Sequence, residues 1–212
     1  MEIAGKKFNF LGDSITEGVG VSRPENKYVD VFSRKYSPAV ARNYGISGTR
    51  FARQKSPTVD NPSFDKDFCS RIDEMDMDAD FVIVFGGIND FGHGDAPFGS
   101  FEDRSADTFF GACHTLMSTL LKKYPRAIVA FMTPIHSAPD ERVGKPHLAT
   151  YAEAIRKTAA YYNIPLLDLY NGSEIQPTDP ESRARYIPDG VHPNDEGAAI
   201  IARALGEFLS SL

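Results

Sequence analysis

A chain of 212 residues with a formal net charge of −6 lacks the surplus of Lys and Arg with which proteins meet nucleic acid or an anionic membrane, so neither is expected as a partner. With 42% hydrophobic residues, nine Tyr and fifteen Phe among them, it has apolar surface for one substantial core, and a single domain over residues 1–212 is expected. No apolar run reaches the length of a membrane span, and Met1 to Lys7 lack the apolar centre of a signal peptide, which points to a cytoplasmic protein.

The first expected element is a strand over residues 7–11, leading into Gly12-Asp13-Ser14-Ile15-Thr16-Glu17-Gly18. That segment reads as a tight turn and then a loop or helix start, which exposes the Ser14 hydroxyl at the strand's carboxyl end beside free backbone N–H groups. The competing reading is a helix cap made by Asp13 or Ser14. A second strand over residues 40–44 closes in Gly45-Ile46-Ser47-Gly48-Thr49. Gly48 there either presents an unobstructed N–H or is a turn residue with positive φ.

Phe64, Phe68, Ile72 and Met75 recur at helical spacing before the most apolar strand, residues 81–85. Gly86-Gly87-Ile88-Asn89-Asp90 ends that strand, so Asn89 reaches the same sheet edge as Ser14 with an amide able to donate to an oxyanion, or else shapes an ordinary Asn-Asp turn. A helix carrying Phe109, Cys113, Leu116, Met117 and Leu120 follows, then a strand over residues 128–132. Leu148, Tyr151, Ala152, Ile155, Ala159 and Tyr162 mark the next helix, and residues 164–169 the fifth strand. The last helix carries Ala198, Ile201, Ala202, Leu205, Phe208 and Leu209, with Asn194 as its N-cap and acids in its first turn.

Strands alternating with helices imply a doubly wound α/β three-layer sandwich around a five-stranded parallel sheet in flavodoxin-like order. Ligands of such sheets lie beyond the carboxyl ends of the strands, so the irregular stretches 91–104 and 133–145 are expected to line the site. Asp13, Phe91, His93 and His136 are the candidate substrate contacts. Cys69 and Cys113 fit no metal or redox spacing and read as buried small hydrophobes on helix stripes. His114 reads as partly buried.

Asp189-Gly190-Val191-His192 sets a carboxylate and an imidazole three residues apart, in a segment stiffened by Pro188 and Pro193. A serine hydroxyl is a weak nucleophile until a base takes its proton, and the base needs a partner on its other ring nitrogen. Asp189 can be that partner for His192, although a loop Asp and a surface His ahead of a helix also occur together without any role.

Taken in order, the four segments resemble the consensus blocks of the SGNH hydrolase superfamily of GDSL-type esterases, lipases and acylhydrolases. Gly12-Asp13-Ser14 matches its Gly-Asp-Ser block, with Ile15 where many members have Leu. Residues 43–48 match Asn-x-Gly-x-x-Gly, Gly87-Ile88-Asn89-Asp90 match Gly-x-Asn-Asp, and Asp189 to Pro193 match Asp-x-x-His-Pro. The resemblance implies a catalytic triad in which Ser14 attacks an ester carbonyl, His192 is base and then acid, and Asp189 orients it. By the same carry-over the oxyanion is held by the Ser14 and Gly48 N–H groups and the Asn89 side chain. A small carboxylic ester, acetylated sugars included, would be cleaved through an acyl-enzyme with no cofactor and no metal.

Three other readings compete. A conventional α/β-hydrolase would use Ser47, but Thr49 stands where its Gly-x-Ser-x-Gly motif needs Gly. A metal-dependent hydrolase would gather Asp13, Asn89, Asp90, His93 and His192 at the same sheet edge, without a His pair at helical ligand spacing. A non-catalytic flavodoxin-like binding or receiver module would want a lysine near the end of the fifth strand, where the chain reads Leu166-Leu167-Asp168-Leu169-Tyr170.

Overall fold

Along the strand Phe81–Phe85 successive side chains point to opposite sides: Val82 and Val84 enter one apolar layer, Phe81, Ile83 and Phe85 the other, and all five are buried. A strand buried on both faces belongs in the middle of a sheet covered twice. In the computed structural model, which describes residues 2–212, this strand is β3 of a parallel sheet that also contains β1 (Lys7–Gly12), β2 (Val40–Gly45), β4 (Ile128–Met132) and β5 (Leu166–Leu167). Their order is β2-β1-β3-β4-β5, the flavodoxin-like order expected.

In chain order the helices are α1 (Ser14–Glu17), α2 (Tyr28–Tyr36), α3 (Phe68–Arg71), α4 (Ile88–Gly92), α5 (Phe109–Lys123), α6 (Leu148–Tyr161), α7 (Leu169–Gly172), α8 (Pro180–Tyr186) and α9 (Asp195–Ser211). Residues from α3, α5 and α6 pack with Leu11, Val82, Val84, Val129 and Phe131 on one face of the sheet. Those of α2 and α9 pack with Phe8, Phe10, Ile83, Ala130 and Met132 on the other. Among the described residues no helix is long and apolar enough to cross a membrane.

The register decides where the site lies. Gly12 is opposite Gly45 on one side and Phe85 on the other, so β1, β2 and β3 end level. The three segments that follow, starting at Asp13, Ile46 and Gly86, therefore leave the sheet at one edge.

Three expectations are corrected. The apolar series at 64–75 is not one helix: α3 is flanked by 3-10 turns at Pro62–Asp65 and Ile72–Glu74. Asp67 breaks the run, because its carboxylate accepts the Ser70 N–H at 2.8 Å as a cap while Phe68 donates its N–H to Arg50 O at 2.8 Å instead of to the preceding turn. The fifth strand is only Leu166–Leu167, since Pro165 has no N–H to pair and the Asp168 side chain caps α7. Cys69 is half-buried rather than buried, whereas Cys113 is fully enclosed, and both are free thiols. The helix α2, which contributes Tyr28, Val29 and Phe32 to the second layer, has no counterpart in the sequence reading.

Candidate active site

Gly12 ends β1 where the chain turns so tightly that a Cβ would sit 1.9 Å from Thr16 Oγ1. Asp13 follows as the N-cap of α1, accepting the Ile15 N–H at 3.1 Å, and Ser14 is the helix's first residue. Its own N–H therefore has no intrahelical acceptor and stands at the positive end of the turn. The cap reading of this segment holds through Asp13, and Ser14, 5% exposed, follows it at the strand's end as the first residue of α1.

Asp13 is only 1% exposed, and its Oδ2 meets no hydrogen-bond partner among the described residues. Burial raises its carboxyl from an ordinary 3.8 to about 7, against the pull of the Ile15 N–H and the Arg71 charge. Between those values the folded chain keeps a proton that the unfolded chain has lost, so this group's contribution to stability falls as pH rises. Asp13→Asn, neutral at every pH, is expected to gain on the wild type across that window by up to about 1.4 kcal/mol per pH unit. Urea unfolding at a series of pH values measures the difference, and a gap that does not change with pH would refute the assignment.

His192 reaches Ser14 from 178 residues away, its Nε2 accepting the Ser14 hydroxyl at 3.0 Å. The loop that carries it is stiffened by its own side chain: Asp189 Oδ1 accepts the N–H groups of Val191 at 2.8 Å and His192 at 2.7 Å. Asp189 Oδ2 is left to accept His192 Nδ1–H at 2.7 Å. Partial burial opposes ionisation of Asp189, yet these two N–H groups and the His192 ring together hold its carboxyl below the usual range. Asn194 then caps α9 through the N–H groups of Glu196 and Gly197, both at 3.1 Å, which anchors the loop's far end.

In the turn after β2, Gly48 adopts φ +73, and a Cβ there would lie 2.3 Å from the Phe64 ring, so its reading as a turn residue with positive φ holds. Two groups outside the motifs brace this turn. Glu17 accepts the Ser47 N–H at 2.6 Å, and its Oε2 also takes the Ser47 hydroxyl. Arg71, 2% exposed, donates to Tyr44 O at 2.7 Å, Gly12 O at 3.1 Å and Thr49 Oγ1 at 2.9 Å, tying the ends of β1 and β2 together. The sequence signal for Arg71 was a cation next to Ile72 inside an apolar series. Asp90 accepts the N–H groups of Phe51 and Ala52, each at 2.9 Å, and burial raises its carboxyl to about 6.

Asn89, in the first turn of α4, donates Nδ2–H to Thr49 O at 2.9 Å. Ser14, Gly48, Asn89 and His192 all border one cavity of about 340 Å³. Its other walls are mainly apolar, from Val19, Phe64, Ile88, Phe91 and Val191, with Ser137 and Arg142 arriving from the stretch 133–145. Both irregular stretches thus reach it, as expected. Of the candidate substrate contacts, Phe91 and His93 line the cavity, whereas Asp13 and His136 do not. Asp13 lies beneath the turn, and His136 is drawn aside by Asp140, 2.7 Å from its Nδ1, and by the Tyr170 ring at 3.9 Å. His114 is nearly enclosed, at 1% exposed, with Nδ1 3.1 Å from the Tyr162 hydroxyl.

Of the five residues of the metal reading three are engaged otherwise: the Asp90 carboxylate serves backbone N–H groups, Asp13 caps α1, and His93 lies between Arg50 and Asn89. Among the described residues no group of three or more His, Cys, Asp and Glu side chains has an arrangement suited to a metal ion. Ser47, the nucleophile of the α/β-hydrolase reading, is hydrogen-bonded to Glu17 and has no histidine partner among the described residues.

Among known proteins, a model of the GDSL-like lipase/acylhydrolase family matches residues 10–200. No curated protein sequence matches the chain. Solved structures do: a protein from Lactobacillus plantarum is 30% identical, with 99% of this chain and 98% of that one covered and a TM-score of 0.87. A possible lipase from Chitinophaga pinensis is 21% identical over 97% and 98% of the two chains, with a TM-score of 0.72. An acetyl xylan esterase is 22% identical over 95% and 98%, with a TM-score of 0.66, and these last two similarities are similarities of fold.

Proposed function

The chain belongs to the GDSL-like lipase/acylhydrolase family, and on that premise we propose that it is a serine esterase cleaving small carboxylic esters, acetylated sugars among them, through an acyl-enzyme at Ser14. The observation that carries this reading is the continuous hydrogen-bonded line from Asp189 Oδ2 through His192 to Ser14 Oγ, at 2.7 and 3.0 Å, opening on the cavity.

In the proposed reaction Ser14 Oγ attacks the ester carbonyl carbon as His192 Nε2 takes its proton, and Asp189 keeps the other ring nitrogen protonated and offsets the imidazolium charge. The carbonyl oxygen becomes an oxyanion facing the Ser14 and Gly48 N–H groups and Asn89 Nδ2, whose bonds strengthen as charge develops. Collapse expels the alcohol oxygen, which takes the proton back from His192. Water then attacks the Ser14 ester by the same sequence, releasing the carboxylic acid and restoring the hydroxyl. A cavity of about 340 Å³ with apolar walls supports a short acyl group.

A panel of esters varying in acyl length and alcohol, assayed before and after exhaustive chelation, tests the proposal. Short-chain esters are expected to be hydrolysed fastest, with activity unchanged by chelation and not raised by added divalent ions. Activity lost on chelation and restored by one particular metal would sink the serine mechanism and favour a metal-dependent one.

A further inference from the structure

His93 and Arg50 lie outside the four motifs, yet they form a chain that ends on Asn89. Arg50 is a buried cation, 4% exposed, held 3.6 Å from Asp65 Oδ1. Its Nε and Nη1 have no hydrogen-bond partner among the described residues, and Nη2 lies 2.7 Å from His93 Nδ1. Across the ring, His93 Nε2 lies 3.1 Å from Asn89 Oδ1.

The directions of these bonds follow from the donors. A guanidinium has only N–H groups to offer, so His93 Nδ1 must accept and carries no proton. The neutral ring then bears its proton on Nε2 and donates to Asn89 Oδ1. Since Thr49 O takes one hydrogen of Asn89 Nδ2, the amide is held with its oxygen towards His93 and its remaining N–H available to the cavity. A flipped amide would set two carbonyl oxygens against each other at Thr49 and turn an acceptor towards the reacting oxygen. A second proton on His93 would face the Arg50 guanidinium donor to donor. Burial, followed by the charges of Arg50, Lys145 and Arg142, accordingly lowers the His93 pKa to about 4.

We propose that His93 and Arg50 are positioning residues for the oxyanion, a relay that selects the amide orientation of Asn89 and, because bonds in a chain polarise one another, strengthens its donation. This rests on the oxyanion role proposed for Asn89. His93 stands 43 positions from Arg50 and 4 from Asn89, so no single motif contains the relay.

The relay predicts a split in kinetic effect. His93→Leu is expected to lower kcat about 10-fold or more, as loss of a supporting hydrogen bond does at other preorganised centres, with KM changed little. His93→Gln, whose amide can accept from Arg50 and donate to Asn89, should recover most of the loss. In an Asn89→Ala background, His93→Leu should cost nothing further, because the group it positions is gone. Independently of activity, the nitrogen NMR shifts of His93 in the wild-type protein at neutral pH should show a neutral ring protonated on Nε2. A ring protonated on Nδ1, a kcat unchanged by His93→Leu, or losses that multiply in the double variant would each overturn the relay. If Asn89→Ala lowers kcat and His93→Leu does not, only the relay fails. If Asn89→Ala itself leaves kcat intact, the oxyanion role fails with it.

Discussion

Ser14→Ala is expected to lower kcat by on the order of 10⁴- to 10⁶-fold, the range over which serine hydrolases lose activity with their nucleophile. The hydroxyl is the group that would form the covalent bond, so without it the acyl-enzyme route is closed. Stability should change by no more than about 1 kcal/mol, the value of one ordinary hydrogen bond, because Ser14 Oγ bonds to His192 at the cavity and is no part of either apolar layer. A fluorophosphonate probe should label the wild-type protein and not the variant, with both unfolding at similar urea concentrations. Labelling that persists in Ser14→Ala and maps to Ser47 would reverse the assignment. The surroundings of Ser47 oppose that outcome: its hydroxyl is bonded to the Glu17 carboxylate, and among the described residues no imidazole is hydrogen-bonded to it.

The second large effect is expected at Asp189, where the substitution to Asn nearly preserves shape while it removes the charge and changes which atoms donate. In Asp189→Asn the amide oxygen can still accept the Val191 and His192 N–H groups, now met by Asp189 Oδ1 at 2.8 and 2.7 Å. The amide nitrogen must then face His192 Nδ1 where a carboxylate oxygen stands at 2.7 Å. A donor at that point stabilises the ring with its proton on Nε2, the wrong tautomer to accept from Ser14. A loss in kcat of about 10⁴-fold is expected, with KM little changed, as when the same exchange is made in serine proteases. The Asp189 side chain is 55% exposed, so solvent screens its charge, and most of the loss is expected to come from the tautomer. His192 nitrogen NMR in the variant provides the check. A kcat within tenfold of wild type would mean that the carboxylate is dispensable.

Three parts of the molecule show why some of the fold was legible in the sequence and some was not. Residues 81–85 could be read as a central strand because an unbroken apolar run has few other places to go, and Val82 and Val84 do part from Phe81, Ile83 and Phe85 onto opposite faces. Periodicity reports which side chains are buried, though, and does not report the path of the backbone. Phe68, Ile72 and Met75 are buried as their spacing implied, yet Asp67 captures an N–H that a continuous helix would have used elsewhere, and Phe64 ends at the cavity. The fifth strand shrank for a related reason: Pro165 and the Asp168 cap are local competitors with the ladder that an apolar count does not weigh.

By itself the sequence determined the elements that depend on neighbours in the chain. These are the alternation of strands and helices, the turn at Gly12 that leaves Ser14 at the head of α1, the Asp189 carboxylate within reach of His192, and the Asn194 cap of α9. Each is a contact over a few residues, so spacing alone constrains it. Only the tertiary structure decided what depends on long-range approach. It brought His192 to Ser14 across 178 residues, drew Arg71 under the ends of β1 and β2, buried Asp13 until its carboxyl rose to about 7, and placed Arg50 behind His93 and His93 behind Asn89. The physical reason is that a side chain's charge, tautomer and free donors are set by what encloses it, and at this sheet edge the enclosing groups come from strands and loops distant in sequence.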